Sequence, residues 1–353
     1  MAGLTVRAAV VERAGAVPVV EEIELAAVGP SDVLLSVRAT GVCHTDIAWA
    51  DGAFGGTFPG VAGHEIAGVV RATGTAVGTV AVGDHVVACV VSSCGACARC
   101  RGGEPALCER RDGQPVRMSR SGRPITQAFG TGGFAEQTVL DASAVVPIPK
   151  YLPFETAAVL GCAALTGYGA ATRIAARVEG LRVAVLGCGA VGVAVSACAR
   201  AAGASHVVAV DPDRNRRTLA LGLGADRAID PAALVDEQPF DVVFEAAGTT
   251  SAATAAIRAA RRGGEIILIG LPAAGVSLEL DQLAFVVDQK RLVGCNMGNA
   301  VPVDDVPAIL ALHDRGLLDL GAFVTDVLPL SRIDAAFRAA RSHHGLRTVV
   351  VPD

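Results

Sequence analysis

The chain has 353 residues, of which 52% are hydrophobic and 18% charged, and its formal net charge is -5 at pH 7. This composition is typical of a globular protein without long disordered segments, and the length favours two domains over one. Because the net charge is negative and the sequence has no basic stripe, nucleic acid is not expected as a partner.

The most apolar stretch, Val183–Ala199, is long enough to be considered as a membrane span. Three glycines interrupt it in the spacing of a phosphate-binding turn, so no membrane segment is predicted. The sequence has no recognisable signal peptide, and a cytoplasmic location is expected. In that compartment, clustered cysteines indicate metal binding more than disulfides.

The first part of the chain is predicted to form short strands. Val6–Val11, Val19–Ile23 and Val33–Ala39 are apolar and β-branched, and turn residues separate them. This pattern predicts an irregular β region, folded as a partly open barrel. A helix is predicted at Pro153–Tyr168.

From Leu181 onward, strands alternate with helices. The first such unit is strand Leu181–Leu186, helix Ala190–Ala202 and strand His206–Val210. This alternation predicts a doubly wound parallel sheet. The tail is expected to fold back onto the first domain. The predicted domains are 1–162 with 297–353, which includes a cysteine lobe at 92–110, and 163–296.

The turn after strand Leu181–Leu186 has the fingerprint of a dinucleotide site. Gly187, Gly189 and Gly192 fit G-x-G-x-x-G, and Asp211 ends the next strand. Such glycines make the tight turn, let the backbone approach a pyrophosphate and let the helix pack on the strand. The free N–H groups of the helix N-terminus then face the phosphates. The alternative is a glycine-rich turn that packs a helix without any ligand.

The choice between NAD and NADP depends on Asp211. A carboxylate there accepts hydrogen bonds from a ribose diol and repels a 2′-phosphate, which favours NAD. The nearby cations Arg214, Arg216 and Arg217 leave NADP as the less favoured alternative.

Four cysteines lie close together in the spacing Cys94-x2-Cys97-x2-Cys100-x7-Cys108. Four thiolates in one short segment can close a tetrahedron around zinc, which predicts a structural site with no open position. The alternatives are reduced surface cysteines, or a redox disulfide between Cys97 and Cys100.

A thiol and an imidazole suited to zinc also occur at Cys43 and His64, each beside a carboxylate. Two ligands are too few, and the candidates for a third are Cys89, Cys162, Cys188, Cys198 and Cys295. Cys162 is favoured because it lies just before the nucleotide domain and can face a cleft. One histidine and two cysteines leave a fourth position open for a substrate.

Together these motifs resemble the zinc-dependent medium-chain alcohol dehydrogenases over nearly the whole chain. The resemblance rests on Gly-Val-Cys-His-Thr-Asp at 41–46, Gly-His-Glu at 63–65, the four-cysteine lobe, the segment 161–169 and the glycine turn with Asp211. It implies a fold of the α/β class, with a GroES-like β-barrel catalytic domain and a Rossmann domain. It also implies two zinc ions per chain, one catalytic and one structural, and an alcohol or aldehyde substrate.

The resemblance further implies roles for single residues. Cys43, His64 and Cys162 look like the catalytic zinc ligands, and Thr45 like the hydroxyl that starts a proton relay. His44 looks like a pyrophosphate neighbour, Asp46 like the carboxylate that orients His64, and Glu65 like an acid that assists exchange at the metal. The implied cofactor-binding residues are His44, Thr166, Gly187, Gly189, Ala190, Val191, Gly192, Asp211, Arg216, Ile269 and Arg347.

The sequence departs from the family pattern after this motif. Ala48 stands where many members carry the histidine that ends the proton relay, so proton release is expected to be slower or substrate-limited. Trp49 and Phe54 are predicted to line an apolar pocket for an aromatic or otherwise apolar alcohol. Both could equally be loop anchors packed on the barrel.

Two rival functions remain at this point. One is an NADPH-dependent aldehyde or ketone reductase of specialised metabolism, and the other is a non-catalytic nucleotide-binding member of the fold. The family implies a homo-oligomer, and the long segment Arg111–Phe129 favours a dimer over a tetramer.

Overall fold

The structure is a computed structural model that describes residues 4–110, 115–342 and 345–353. These residues form two compact units, Met1–Cys162 with Val301–Val303 and Leu320–Asp353, and Ala163–Ala300 with Asp304–Asp319. The predicted division put residues 297–300 and 304–319 in the first domain, whereas their contacts group them with the second unit. One reason is Asp305, which is 1% exposed and accepts a hydrogen bond of 3.0 Å from Nε of Arg173. The segment Arg111–Phe129, whose length favours a dimer over a tetramer, includes residues 111–114, which lie outside the described residues.

The strands in chain order are β1 (Leu4–Val11), β2 (Val19–Leu25), β3 (Asp32–Val42), β4 (Gly60–Val61), β5 (Glu65–Thr73), β6 (His85–Ala88), β7 (Met118–Arg120), β8 (Arg123–Gln127), β9 (Gln137–Asp141), β10 (Val145–Pro147), β11 (Arg182–Leu186), β12 (His206–Val210), β13 (Arg227–Ile229), β14 (Phe240–Glu245), β15 (Ala260–Leu268), β16 (Arg291–Gly294), β17 (Val324–Pro329) and β18 (Arg347–Val351).

The α-helices are α1 (His44–Ala50), α2 (Ala98–Arg101), α3 (Phe154–Ala158), α4 (Ala163–Gly169), α5 (Ala190–Ala201), α6 (Arg214–Gly222), α7 (Thr250–Ala259), α8 (Gln282–Val287), α9 (Pro302–Asp314) and α10 (Ile333–Arg341). None of the helices among the described residues has the length and apolar character needed to cross a membrane.

A small barrel closes in the first unit, in the order β1-β2-β7-β8-β4. The expectation of a partly open barrel was wrong, because the two-residue strand β4 pairs with β1 on one side and with β8 on the other. The core cluster packed here includes Ile23, Leu25, Met118 and Phe134. Each of these side chains is at most 2% exposed.

A second sheet in this unit has the order β10-β6-β5-β3-β18-β17, and β9 also pairs with β3. Strands β5 and β18 run antiparallel to β3, with Gly41 opposite Glu65 and Val42 opposite Thr348. The end of β3 therefore lies beside the starts of β5 and β18. This register brings residues around 43, 64 and 347 to one edge of the sheet.

The second unit is built on a parallel sheet in the order β13-β12-β11-β14-β15-β16, as the alternation of strands and helices predicts. Its central strands, such as Arg182–Leu186 and His206–Val210, are almost continuous apolar runs, which suits burial on both faces. Leu186 is in register with Val210 and with Glu245, and Glu245 with Leu268. The residues that follow these strands therefore share the carboxyl edge of the sheet, where ligands bind in open α/β folds.

Candidate active site

Four metal-binding side chains meet inside the first unit. One ligand atom from each of Cys43, His64, Glu65 and Cys162 lies within 4.8 Å of the other three. The four residues are 7%, 2%, 0% and 6% exposed, respectively. Two sulfurs, one imidazole nitrogen and a carboxylate this close together and this well buried form a donor set that suits zinc.

Asp46 organises two of these ligands. Its Oδ1 accepts hydrogen bonds from Nδ1 of His64 at 2.8 Å and from the backbone N–H of Gly63 at 2.9 Å. Its Oδ2 accepts from the backbone N–H of Cys43 at 3.0 Å, which also caps α1. Because Nδ1 of His64 donates to a carboxylate, Nε2 is the nitrogen with a free lone pair.

Cys162 reaches the site through a break in the predicted helix. The sequence predicted one helix over Pro153–Tyr168, but α3 ends at Ala158 and α4 begins at Ala163. Cys162 has φ -144° and ψ -71°, outside the helical region. The chain packs tightly before it, since a Cβ on Gly161 would lie 2.7 Å from the carbonyl oxygen of Ala88.

The electrostatics of the cluster favour an anionic sulfur. A hydrogen bond with Cys162 holds the pKa of Cys43 well below its usual value, despite burial, and Arg347 and His64 add to this effect. The same hydrogen bond and burial raise the pKa of Cys162. Burial lowers the pKa of His64, but the charge and hydrogen bond of Asp46 outweigh it, so the net shift is upward.

Glu65, the carboxylate of this cluster, is paired with Arg347. Nη2 of Arg347 donates to Oε1 of Glu65 at 2.8 Å, and the two side chains are 3% and 0% exposed. Burial raises the pKa of Glu65 to about 7, although Arg347 opposes the shift. Oε2 of Glu65 is buried without a hydrogen-bond partner among the described residues. Arg347, predicted to lie beside a pyrophosphate, thus has a buried carboxylate as its ion-pair partner.

The other residues of the motif lie on α1. His44 is exposed, while Thr45 and Ala48 are half-buried. Thr45 occupies the first turn of the helix, two residues after Cys43.

The cysteine lobe forms a second donor cluster. One ligand atom from each of Cys94, Cys97, Cys100 and Cys108 lies within 4.8 Å of the others. The Sγ atoms of Cys97 and Cys100 are 3.4 Å apart, and those of Cys94 and Cys100 are 4.0 Å apart. These are the separations of sulfurs around one tetrahedral zinc, and far exceed a disulfide bond of about 2.05 Å. Backbone hydrogen bonds lower the pKa of Cys97 to about 6.

The glycine turn of the second unit has the expected form. Gly187 has φ +98°, in the left-handed region, and α5 begins at Ala190 with Gly189 as its N-cap and Val191 in its first turn. A Cβ on Gly192 would lie 1.8 Å from the carbonyl oxygen of Gly187, so the helix and the turn touch directly.

Asp211 follows β12 at the same edge and is 4% exposed. Its Oδ2 accepts from the backbone N–H of Cys188, inside the glycine turn, at 2.8 Å. On α6, Arg216 is half-buried, and its Nε is buried without a hydrogen-bond partner among the described residues. Thr166 and Ile269 are 5% and 7% exposed, and Ile269 follows β15 at the carboxyl edge.

The two aromatic residues proposed for a pocket have different environments. Trp49 is 4% exposed, belongs to the core cluster and lies 4.9 Å from the ring of Phe58, which are the contacts of a loop anchor. Phe54 is 36% exposed, and its ring lies 6.5 Å from that of Phe129. Phe129 in turn lies 5.3 Å from the ring of His64. Sequence reasoning missed Phe129, although the Gly130-Thr131-Gly132-Gly133 run after it signals a tight turn.

Comparisons with known proteins agree with this architecture. A family model described as alcohol dehydrogenase GroES-like domain matches residues 29–150, and one described as zinc-binding dehydrogenase matches residues 190–315. Alcohol dehydrogenase class-3 of Drosophila melanogaster is 32% identical, over 98% of this chain and 97% of its own. This chain belongs to the zinc-dependent medium-chain alcohol dehydrogenases. The dehydrogenase therefore interconverts an alcohol and its aldehyde or ketone, using zinc and a nicotinamide cofactor.

Solved structures resemble this dehydrogenase along its whole length. Benzyl alcohol dehydrogenase from Acinetobacter calcoaceticus has a TM-score of 0.92 and 27% identity, with 99% of this chain and 100% of that chain covered. A zinc-binding dehydrogenase from Sinorhizobium meliloti, bound to NADP, has a TM-score of 0.83 and 25% identity, with the same coverage. The predicted fold, a GroES-like barrel domain and a Rossmann domain, is confirmed.

Proposed function

We propose that this dehydrogenase oxidises apolar primary alcohols, with benzyl-type alcohols as the best class, and uses NAD. Two zinc ions per chain support the reaction, one held by Cys43, His64 and Cys162 and one by the cysteine lobe. The protein works in the cytoplasm as a homodimer. The observation that carries the proposal is the buried set of two thiols and one imidazole within 4.8 Å, with the Thr45 hydroxyl two residues from Cys43.

In the mechanism, the bound zinc supplies a Lewis acid that lowers the pKa of an alcohol, and the nicotinamide supplies the hydride acceptor. The residues of the chain bind, orient and move the proton. Thr45 accepts the proton of the substrate hydroxyl at Oγ1 and passes its own onward. Because Ala48 offers no side chain that titrates, the relay has to end at water or at another group. Asp46 keeps Nε2 of His64 free for the metal.

The preference for an apolar substrate is supported by the aromatic series from exposed Phe54 through Phe129 to His64. Neither Phe54 nor Phe129 offers a charged group that could pair with a polar substrate. A panel of benzyl-type, long-chain and polyhydroxy alcohols, followed by NADH absorbance, tests the class. Negligible turnover of the first two beside good turnover of a polyol would refute it.

Thr45→Ala and Thr45→Ser test the proton step in the same assay. Both variants keep the metal ligands, but only serine keeps a hydroxyl. We expect Thr45→Ala to lose roughly 10²–10⁴-fold in kcat, the contribution usual for a positioned proton-transfer group, and Thr45→Ser to stay near the wild type. A kcat near the wild-type value in both variants would rule out a proton-transfer role for Thr45.

The preference for NAD is supported by the buried Asp211 carboxylate at the edge of the glycine turn. One observation favours the rival NADPH-dependent reductase. The Nε of Arg216 is buried without a hydrogen-bond partner among the described residues, and this donor could bind a 2′-phosphate. Measuring kcat/KM with both cofactors decides between them. If NAD is the cofactor, Asp211→Ala should reduce the ratio of kcat/KM for NAD to kcat/KM for NADP, and Arg216→Ala should leave that ratio unchanged. A wild-type preference for NADP that Arg216→Ala abolishes would support the reductase instead.

The homodimer is supported by an exposed apolar surface on the second unit. Leu283, Val286 and Val287 of α8 are 76%, 64% and 59% exposed, and Leu292 of β16 is 38% exposed. Strand β16 is the last strand of its sheet, so one of its edges has no partner strand among the described residues. An unpaired edge beside apolar side chains is a surface that favours association.

A further inference from the structure

One residue beside the candidate metal site has a backbone conformation that its side chain disfavours. Phe129 has φ 58° and ψ 17°, in the left-handed region, and Gly130 after it has φ 74°. Bulky residues rarely adopt this conformation, because the Cβ crowds the backbone. A non-glycine residue is kept there only when the surrounding structure determines it, and such residues cluster at functional sites.

The surrounding structure does hold this turn firmly. The single proton of Thr131 Oγ1 lies within hydrogen-bond reach of two carbonyl oxygens, that of Gly63 at 2.9 Å and that of Ala128 at 3.0 Å. The backbone N–H of Gly133 donates to the same Gly63 oxygen at 2.8 Å. The turn at 128–133 is thus tied directly to the residue that precedes His64.

The left-handed backbone places the Phe129 ring on the imidazole of His64. The two ring centroids are 5.3 Å apart and the ring planes meet at 73°, an edge-to-face arrangement. Phe54 packs on Phe129 at 6.5 Å and 68°. Asp46 therefore holds the His64 imidazole at Nδ1, and the Phe129 ring contacts it edge to face. The contacts of the Gly63 carbonyl hold the backbone next to His64.

We propose that Phe129 is a positioning residue that fixes the ring plane of His64, so that Nε2 points steadily at the metal. The inference rests on the proposed function, in which His64 is a zinc ligand. The hydrogen bond to Asp46 fixes which nitrogen binds. The Phe129 ring contacts the imidazole itself and adds a restraint on the tilt of its plane, and the left-handed backbone places the Phe129 ring there.

The test measures how fast zinc passes from the purified holoenzyme to a chromogenic chelator. We expect the zinc outside the lobe to leave roughly tenfold faster or more from Phe129→Leu and Phe129→Gly, as for other residues that orient a metal ligand. Phe129→Tyr keeps the ring and should release zinc at the wild-type rate. The visible absorption of the cobalt-substituted protein should change in the leucine and glycine variants only.

Two controls separate positioning from general loosening. Phe337→Leu removes an edge-to-face pair of similar separation, 5.8 Å, with Phe134 in the same core, and should leave the release rate unchanged. Phe129→Gly should melt no lower than Phe129→Leu, because glycine accepts the left-handed backbone.

Release rates within twofold of the wild type in both Phe129→Leu and Phe129→Gly would overturn the inference, as would an equal acceleration in Phe337→Leu. The proposed function would fail in a different way. In that case wild-type protein would carry one zinc per chain, or Cys162→Ala would keep two.

Discussion

At the scale of single residues, Asp46 holds together parts of the site that come from distant positions in the sequence. Its two oxygens accept three hydrogen bonds, from Cys43, Gly63 and His64, and the side chain is 0% exposed. A carboxylate is needed here because an amide has only one acceptor oxygen. The residue therefore links the cap of α1, at the backbone of Cys43, to the side chain of His64.

Asp46→Asn should weaken both the fold and the metal site. In either orientation of the new amide, its NH2 group faces at least one N–H group that bonded to the carboxylate, and that N–H group is left without an acceptor. We expect a loss of about 1–3 kcal/mol in the free energy of unfolding, measured with urea, and a roughly 10–100-fold loss of zinc affinity. Asp84→Asn is the control, because Asp84 also accepts a backbone hydrogen bond, from Ala81 at 2.8 Å, but in an exposed turn. An Asp46→Asn variant that keeps wild-type zinc affinity would show that Asp46 does not orient His64.

The sequence predicted some residues of the site and missed others for identifiable reasons. Cys43 and His64 could be picked out because each lies beside a carboxylate, and Cys162 because it lies just before the nucleotide domain. The structure brings the three together. Phe129 could not, because its importance lies in a positive φ that follows from tertiary contacts. The ion pair of Arg347 with Glu65 depends on the register of β18 beside β3, which no local pattern encodes.

At the scale of elements, two glycines at the turn into α5 have different surroundings, which allow folding and cofactor binding to be tested separately. A Cβ on Gly189 would meet no atom within 4 Å, whereas a Cβ on Gly192 would lie 1.8 Å from a backbone oxygen. The two glycines therefore have different reasons to be glycine. Gly192 is required by the contact between helix and turn, and Gly189 has open space beside it, as the proposed approach of a pyrophosphate needs.

Gly189→Ala and Gly192→Ala should consequently fail in different ways. We expect Gly189→Ala to keep the wild-type melting temperature but bind NADH more weakly, since the new methyl group occupies the approach of the pyrophosphate. Gly192→Ala should lose about 1–3 kcal/mol of stability as well, because backbone has to move. Fluorescence titration with NADH and thermal melting measure the two effects. Unchanged NADH affinity in Gly189→Ala would mean that the phosphates bind elsewhere.

The cysteine lobe is a second element whose role can be isolated. Cys97→Ser should reduce the zinc content by one ion per chain and leave the other ion in place. If the lost ion contributes about 3 kcal/mol by linkage, the melting temperature of the 353-residue chain falls by roughly 4 °C. Elemental analysis and calorimetry measure both quantities. The control is Cys198→Ser, whose thiol is 1% exposed in α5 and has its pKa raised to about 12 by burial. A Cys97→Ser protein with full zinc content would refute the structural site.

Elements were predicted well where a local pattern decides them. The parallel strands of the second unit are apolar runs between turn signals, and His206–Val210 has the bounds that the sequence predicts. The helix expected at Pro153–Tyr168 is divided at Cys162, next to Gly161, which lies close to the backbone of Ala88, a tertiary contact that the local sequence does not encode. The sequence predicted a partly open barrel. The strand that closes it, β4, has only two residues and is too short to be recognised from its own sequence.

At the scale of the whole molecule, the two units carry different parts of the chemistry. All donor atoms of both candidate metal sites belong to the first unit, and the glycine turn with Asp211 belongs to the second. The second unit also carries the apolar surface of α8 and β16. Because α8 has only six residues and none of them is buried, its side chains contribute little to the core of its own chain. This surface is better explained by association than by folding.

Leu283→Asp combined with Val286→Asp should therefore convert the proposed dimer to a monomer. Stable dimer interfaces bury roughly 1,200–2,000 Å² and are apolar at their centre, so two negative charges placed there, which repel each other and have no cationic partner, oppose association. Light scattering after size exclusion should give about twice the chain mass of 35.6 kDa for the wild type and one chain mass for the variant. Val235→Lys is the matched control, because Val235 is 85% exposed on the same unit, outside α8 and β16, and should remain dimeric. A wild type that elutes as a monomer, or a double variant that stays dimeric, would contradict the assignment of this surface.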